Sequence, residues 1–218
     1  MPQRFDLIVF DWDGTLFDST ALIVKSMQAA AVDLGLTPPS RERASYVIGM
    51  GLVEALAHAM PGLDRSQYPA LGERYRHHYF ASAHEVTLFE GVPALLQALK
   101  ARHHWLAVAT GKSRRGLNEA LAAVSMERLF DGTRTADETA SKPHPQMLLE
   151  LMREFGAEPA RTLMIGDTSH DLELARNAGC PAVAVTYGAH AHEGLRVYDP
   201  LLVAHDVPSL QDWLLANA

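Results

Sequence analysis

Residues 7–20 read LIVFDWDGTLFDST and place two carboxylates, Asp11 and Asp13, directly after an apolar run and before a glycine turn. An Asp-Gly step after a strand is a common turn signal, so these acids alone need mean no more than a reversal of the chain. Two other apolar runs also end in polar, glycine-marked clusters. Residues 105–109 lead into Thr110, Gly111, Lys112 and Ser113, and residues 162–165 lead into GDTSHD, residues 166–171. If the three runs are neighbouring parallel strands, Asp11, Asp13, Thr110 and Asp167 converge at one sheet edge. Carboxylates gathered there repel one another unless a cation is shared among them, and an all-oxygen donor set selects a hard divalent ion such as magnesium.

The elements that would position these groups are legible in the chain. Residues 5–10, 105–109, 162–165 and 182–185 are short apolar runs with β-branched or aromatic content, the pattern of buried parallel strands. Helical patterns at 92–101, 114–123, 144–155 and 169–178 alternate with the later strands, several opened by Pro, Ser or Asp and closed by Gly156 or Gly179. This alternation predicts an α/β fold with a doubly wound, Rossmann-like parallel sheet. The final stretch, DVPSLQDWLLANA, reads as a closing amphipathic helix.

The stretch between Leu16 and Phe89 breaks the rhythm: several helical patterns and no convincing strand. It predicts an all-helical cap over residues 17–88, inserted into a core made of 1–16 and 89–218. Its point of entry, straight after the first strand, places it over the carboxyl edge of the sheet, where open α/β folds bind ligands. Within it, Gly49-Met50-Gly51 forms a turn between two helical stretches, and Arg41 and Arg43 precede that turn. The crossings near 16–18 and 87–91, with Gly91 in the second, are the expected hinges, and Phe80 and Leu88 are expected apolar surface.

Composition narrows the classes. The chain has 218 residues, enough for a full core, and a net charge of −7 with no basic run, which argues against nucleic-acid and anionic-membrane partners. The N-terminal residues show no secretory-signal pattern, and the expected location is the cytoplasm. The single cysteine, Cys180, reads as a small buried apolar residue. No histidine pair has helical zinc spacing; His77/His78 and His103/His104 are expected at the surface or partly packed, and His170 is expected to face solvent. Monomer and homodimer are both open.

Taken in order, DWDGT (Asp11 to Thr15), Thr110 in VATGKS, Lys142 in SKPHP, and Asp167 with Asp171 in GDTSHD resemble the four motifs of the haloacid dehalogenase-like hydrolases, over nearly the whole chain. The resemblance is strongest to members with a helical cap that are called phosphoglycolate phosphatases. It implies Asp11 as a nucleophile that takes up a phosphoryl group and Asp13 as the acid and base for the leaving group and water. It implies Thr110, Gly111 and Lys142 as phosphoryl-binding groups, Met50 as a cap contact to substrate, and Asp171 as the residue orienting Lys142 or a metal-bound water. Magnesium would be held by Asp11, Asp167 and the backbone carbonyl of Asp13. Dehalogenases and phosphonate-cleaving relatives lack an acid at the position of Asp13, so the resemblance favours phosphate esters, and Lys25 is then expected to be surface charge. The implied substrate is a small phosphorylated metabolite, with 2-phosphoglycolate leading. A phosphomutase and a non-catalytic phosphometabolite-binding protein are the alternatives.

Overall fold

The computed structural model describes residues 3–218. Six strands form one fully parallel sheet: β1 (Leu7–Phe10), β2 (Trp105–Thr110), β3 (Gly132–Thr135), β4 (Thr162–Gly166), β5 (Ala182–Val185) and β6 (Val203–Ala204). Their spatial order is β3-β2-β1-β4-β5-β6. The chain winds outward from β1 to β3, returns to β4 on the other side of β1, and winds outward again. The point where the winding reverses therefore lies between β1 and β4, and ligand crevices open at such points beyond the carboxyl ends of the strands.

The apolar runs become central strands because both of their faces are covered. Alternate residues of β1 part to opposite sides. Ile8 and Phe10 pack with Leu95, Leu96 and Leu99 of α5 (Val92–Ala101) and with Leu210 and Leu214 of α10 (Val207–Asn217). Leu7 and Val9 pack with Met147, Leu148 and Leu151 of α7 (Gln146–Phe155) and with Leu174 and Ala175 of α8 (Ser169–Ala178). Each fully buried large side chain of this kind contributes roughly 1.5–3 kcal/mol. The remaining core helices are α6 (Arg114–Ala123) and the short α9 (His192–Arg196).

Between β1 and α5 the chain is helical: α1 (Thr20–Asp33), α2 (Arg41–Tyr46), α3 (Leu52–Ala59) and α4 (Tyr68–Ser82), with two short 3-10 turns. This segment has its own apolar interior, in which Ile23, Val24 and Met27 meet Ala44, Val47, Ile48, Ala55 and Tyr79. The two crossings to the core are bonded to each other, Asp18 N–H to the Thr87 carbonyl at 2.9 Å and Phe89 N–H to the Leu16 carbonyl at 3.0 Å. Among the described residues no helix is long and apolar enough to cross a membrane.

Some expectations need correction. Strand β3, sequence GTRT, does not show in the apolar pattern. It is an edge strand whose polar side chains have local partners: Arg134 meets Glu150 and Glu154 of α7, and Thr133 receives Arg114. Two-residue β6 and α9 are too short to show a period. Leu88 is half-buried against the sheet core rather than exposed, because it pairs across the crossing with Phe17. His104 is fully buried, and its ring Nδ1 lies 2.9 Å from the Phe5 carbonyl. Phe80 is exposed and Cys180 is buried, as expected.

Candidate active site

Asp11 is the first residue beyond β1, and its N–H donates to the Ile165 carbonyl at 2.9 Å, which ties the tip of β1 to that of β4. Asp167 is the first residue beyond β4, and Asp171 lies in the first turn of α8. One carboxylate oxygen from each of these three residues falls within 4.8 Å of the others, and all three residues are fully buried. Close packing holds them: a Cβ at Gly14, where φ is +83°, would stand 2.2 Å from Asp167 Oδ2, so only glycine fits that turn.

Each acid has distinct partners. Lys142 Nζ donates to Asp11 Oδ1 and Asp171 Oδ1, both at 2.6 Å. The other oxygen of Asp171 accepts from the N–H and hydroxyl of Thr168 at 3.1 and 2.7 Å. Asp167 accepts from the Thr15 hydroxyl at 2.8 Å and the Ala189 N–H at 2.7 Å. Asp11 Oδ2 is buried and has no hydrogen-bond partner among the described residues.

One ammonium thus faces three buried carboxylates. Burial, reinforced by Asp171 and Asp13 against the pull of Lys142, pushes Asp11 up to about 7. Burial and then the neighbouring Asp11 and Asp171 hold Asp167 well above the usual carboxylate range. Lys142 keeps its proton more firmly than a free lysine, since Asp11 and Asp171 outweigh the cost of burying its charge. The excess negative charge, the all-oxygen donor set and the orphaned Asp11 Oδ2 together fit a hard divalent cation.

Asp13 turns the other way. Its carboxylate accepts from the Ser19 hydroxyl at 2.5 Å and lies 3.0 Å from Lys112 Nζ, so its side chain stands apart from the three-acid group. Thr110 is buried at the tip of β2, with its hydroxyl accepting from the Lys112 N–H at 3.1 Å. Gly111 lies beneath the turn at 49–51: a Cβ there would come within 2.4 Å of the Met50 carbonyl and 2.5 Å of the Gly49 carbonyl. The helical segment is therefore seated on the loop after β2. The Gly51 N–H also donates to the Ser141 hydroxyl at 2.7 Å.

His170 corrects the sequence reading. It is 3% exposed, and its Nε2 lies 2.8 Å from the Tyr46 carbonyl at the end of α2, where His190 Nε2 also reaches at 2.9 Å. The helical segment covers the start of α8 and excludes His170 from solvent. Arg41 and Arg43 are exposed and do not line the space beneath the segment, while Lys25 is on the surface. Sequence reasoning misses Lys112 and Tyr79. Lys112 stands in the TGKS cluster, but its partner is 33 residues upstream in a helix whose pattern gives no hint of it.

A cavity of about 440 Å³ opens between the helical segment and the sheet edge, bounded by Asp13, Met50, Gly111 and Lys112 on its deep side. The fold, the acids at the reversal point and this cavity point to a class of enzyme, and comparison with known proteins names it. The family model described as haloacid dehalogenase-like hydrolase matches residues 8–185. A probable phosphatase IndB from Dickeya dadantii is 35% identical over 90% of this chain and 88% of that one. A phosphoglycolate phosphatase from Haemophilus influenzae is 31% identical over 96% and 98%, and a 5'-nucleotidase from Pseudomonas aeruginosa 30% over 97% and 96%. The crystal structure of a predicted phosphoglycolate phosphatase from Haemophilus somnus superposes with a TM-score of 0.83 at 27% identity, covering 97% of this chain and 99% of the other. The chain belongs to the haloacid dehalogenase-like hydrolase family, as an enzyme of the phosphatase kind.

Proposed function

We propose that the protein is a magnesium-dependent phosphomonoesterase that hydrolyses a small phosphorylated metabolite through an aspartyl-phosphate on Asp11. The observation that carries this reading is the free oxygen of Asp11, buried, unpartnered and placed beside a carboxylate cluster with unbalanced charge. Lys142 occupies the other oxygen of Asp11 and so fixes the orientation of the nucleophile, while Asp171 holds Lys142 from behind. Attack by Asp11 forms a bond from its carboxylate oxygen to phosphorus and breaks the bond to the ester oxygen, dividing one hard displacement into two.

Asp13, on the cavity side, gives a proton to the departing alkoxide and then takes one from the water that releases phosphate. The Thr110 hydroxyl and Gly111 N–H bind phosphoryl oxygens, and the Lys142 ammonium offsets the charge that builds on them. Asp11, Asp167 and the main-chain carbonyl of Asp13 are the groups to hold magnesium, which when bound supplies electrostatic stabilisation of the phosphoryl oxygens. The helical segment 17–88 acts as the cap that keeps bulk water from the phosphoenzyme, with Met50 against the leaving group. The leading substrate is 2-phosphoglycolate, in keeping with the names of relatives, and the cytoplasm is the expected location.

Phosphate release from p-nitrophenyl phosphate and from a metabolite panel, with magnesium and after chelation, tests this reading. Turnover is expected in magnesium, and it should vanish both on chelation and in Asp11→Asn with the circular dichroism spectrum retained. Tight binding without turnover would show a binding protein, and isomerised phosphosugar without free phosphate would show a mutase.

A further inference from the structure

The cavity under the helical segment is walled mainly by apolar side chains, among them Ile23, Met27, Val47 and Ile48. Glu54, Arg76 and Asp137 also border it but are exposed, at its rim. Deep inside, the charge comes from Asp13 and Lys112, with the hydroxyl of Tyr79 between the helical segment and Lys112.

Lys112 is unusual for a lysine in this position. Its side chain is only 10% exposed, its Nζ donates to the Tyr79 hydroxyl at 3.0 Å, lies 3.0 Å from Asp13 Oδ1, and sits 4.5 Å from the centre of the Tyr79 ring. An ammonium has three N–H groups, and among the described residues only the Tyr79 hydroxyl accepts one in a hydrogen bond, while Asp13 lies beside the ammonium as an ion pair. Its other N–H groups have no hydrogen-bond acceptor among the described residues, beside a mainly apolar cavity. Because Asp13 also faces this cavity, the ester oxygen that receives its proton must come to rest within a few ångströms of Lys112.

We infer that Lys112, supported by Tyr79, is the specificity-determining group of this enzyme and binds an anionic oxygen group, of the carboxylate class, carried by the leaving group close to its ester oxygen. This deepens, and rests on, the phosphatase reading above. A single point charge suits a monoanion, and the apolar wall offers little to a polyhydroxylated sugar, whose hydroxyls would be buried without partners. The wall also leaves room for an apolar extension beyond the acid, since a two-carbon leaving group fills only a small part of the cavity.

The test uses two esters of like size that differ in charge, 2-phosphoglycolate and ethyl phosphate, with the full-length protein in magnesium. The wild-type enzyme is expected to favour the carboxylate ester at least tenfold in kcat/KM. Lys112→Met should bring the ratio close to one, chiefly by raising KM for 2-phosphoglycolate. Tyr79→Phe, which leaves the ammonium in place, should narrow the ratio only in part. Lys112→Gln serves the same comparison where Lys112→Met does not fold, judged by thermal melting. A wild-type ratio near one, or a variant that slows both esters equally, overturns the inference and leaves Lys112 as a support for Asp13 alone. Turnover of p-nitrophenyl phosphate with no preference for the acid removes this subsite while the phosphatase reading stands; no turnover of any ester removes both.

Discussion

Asp11 and Asp13 are two residues apart and live in opposite settings. Asp11 is locked among Lys142, Asp171 and Asp167, whereas Asp13 meets a serine hydroxyl and a second lysine on the cavity side. That separation suits one acid that bonds to phosphorus and one that moves protons, and it has a kinetic signature. Asp13→Asn should slow the first step, release of the leaving group, by about 10²–10⁴-fold for an alkyl phosphate but much less for p-nitrophenyl phosphate, whose phenolate leaves without a proton. Single-turnover release of the two leaving groups checks it, and equal losses in that step would remove Asp13 as the acid. Lys142 carries the converse risk. Lys142→Met strands buried carboxylates without their cation and should cost about 3–5 kcal/mol in chemical denaturation of the chelated protein.

Among the elements, the turn at 49–51 and the loop after β2 matter most, since they meet backbone to backbone. Gly111 has no Cβ, and that absence lets the Gly49 and Met50 carbonyls rest on it. Gly111→Ala should lift the turn by about 1 Å and lower kcat/KM by roughly 10²-fold, while the melting temperature stays close to that of the parent. A variant with unchanged kcat/KM would show that the seated position of the helical segment does not matter to turnover. Elements with a strong apolar period are legible in the chain itself: the central strands and α5, α6 and α8 fall where the pattern puts them, within a residue or two. Polar β3 and two-residue β6 are not: β3 is an edge strand held by its ladder and by ion pairs rather than by a buried face, and β6 is too short to show a period.

For the molecule as a whole, the proposed magnesium site ties stability to the buried acids. In the chelated protein, folded Asp11 keeps its proton up to about pH 7, whereas the unfolded chain releases it near 3.8. The folded state binds more protons across that window, so this contribution to stability is complete below pH 3.8 and is lost as pH rises towards 7. Magnesium should reverse the loss, because it stabilises the ionised cluster. At a concentration about 100 times its Kd it adds about 2.7 kcal/mol. Thermal melting with magnesium and with chelator should thus show a larger gain at pH 8 than at pH 5. A gain equal at both would mean that the ion binds elsewhere.

Much of the candidate site is foreseeable from the chain: polar residues at the ends of apolar runs, Asp11, Thr110 and Asp167 among them, must meet if those runs pair in parallel, because pairing in register brings their tips to one edge. Local pattern and motif order are enough for that. Only the folded chain decided that Asp13 would turn from the other acids towards Lys112, that Tyr79 would reach the same ammonium from a helix 33 residues away, and that His170 would be covered. Those outcomes depend on how one folded segment sits upon another, and a docking of surfaces leaves no periodic trace in sequence.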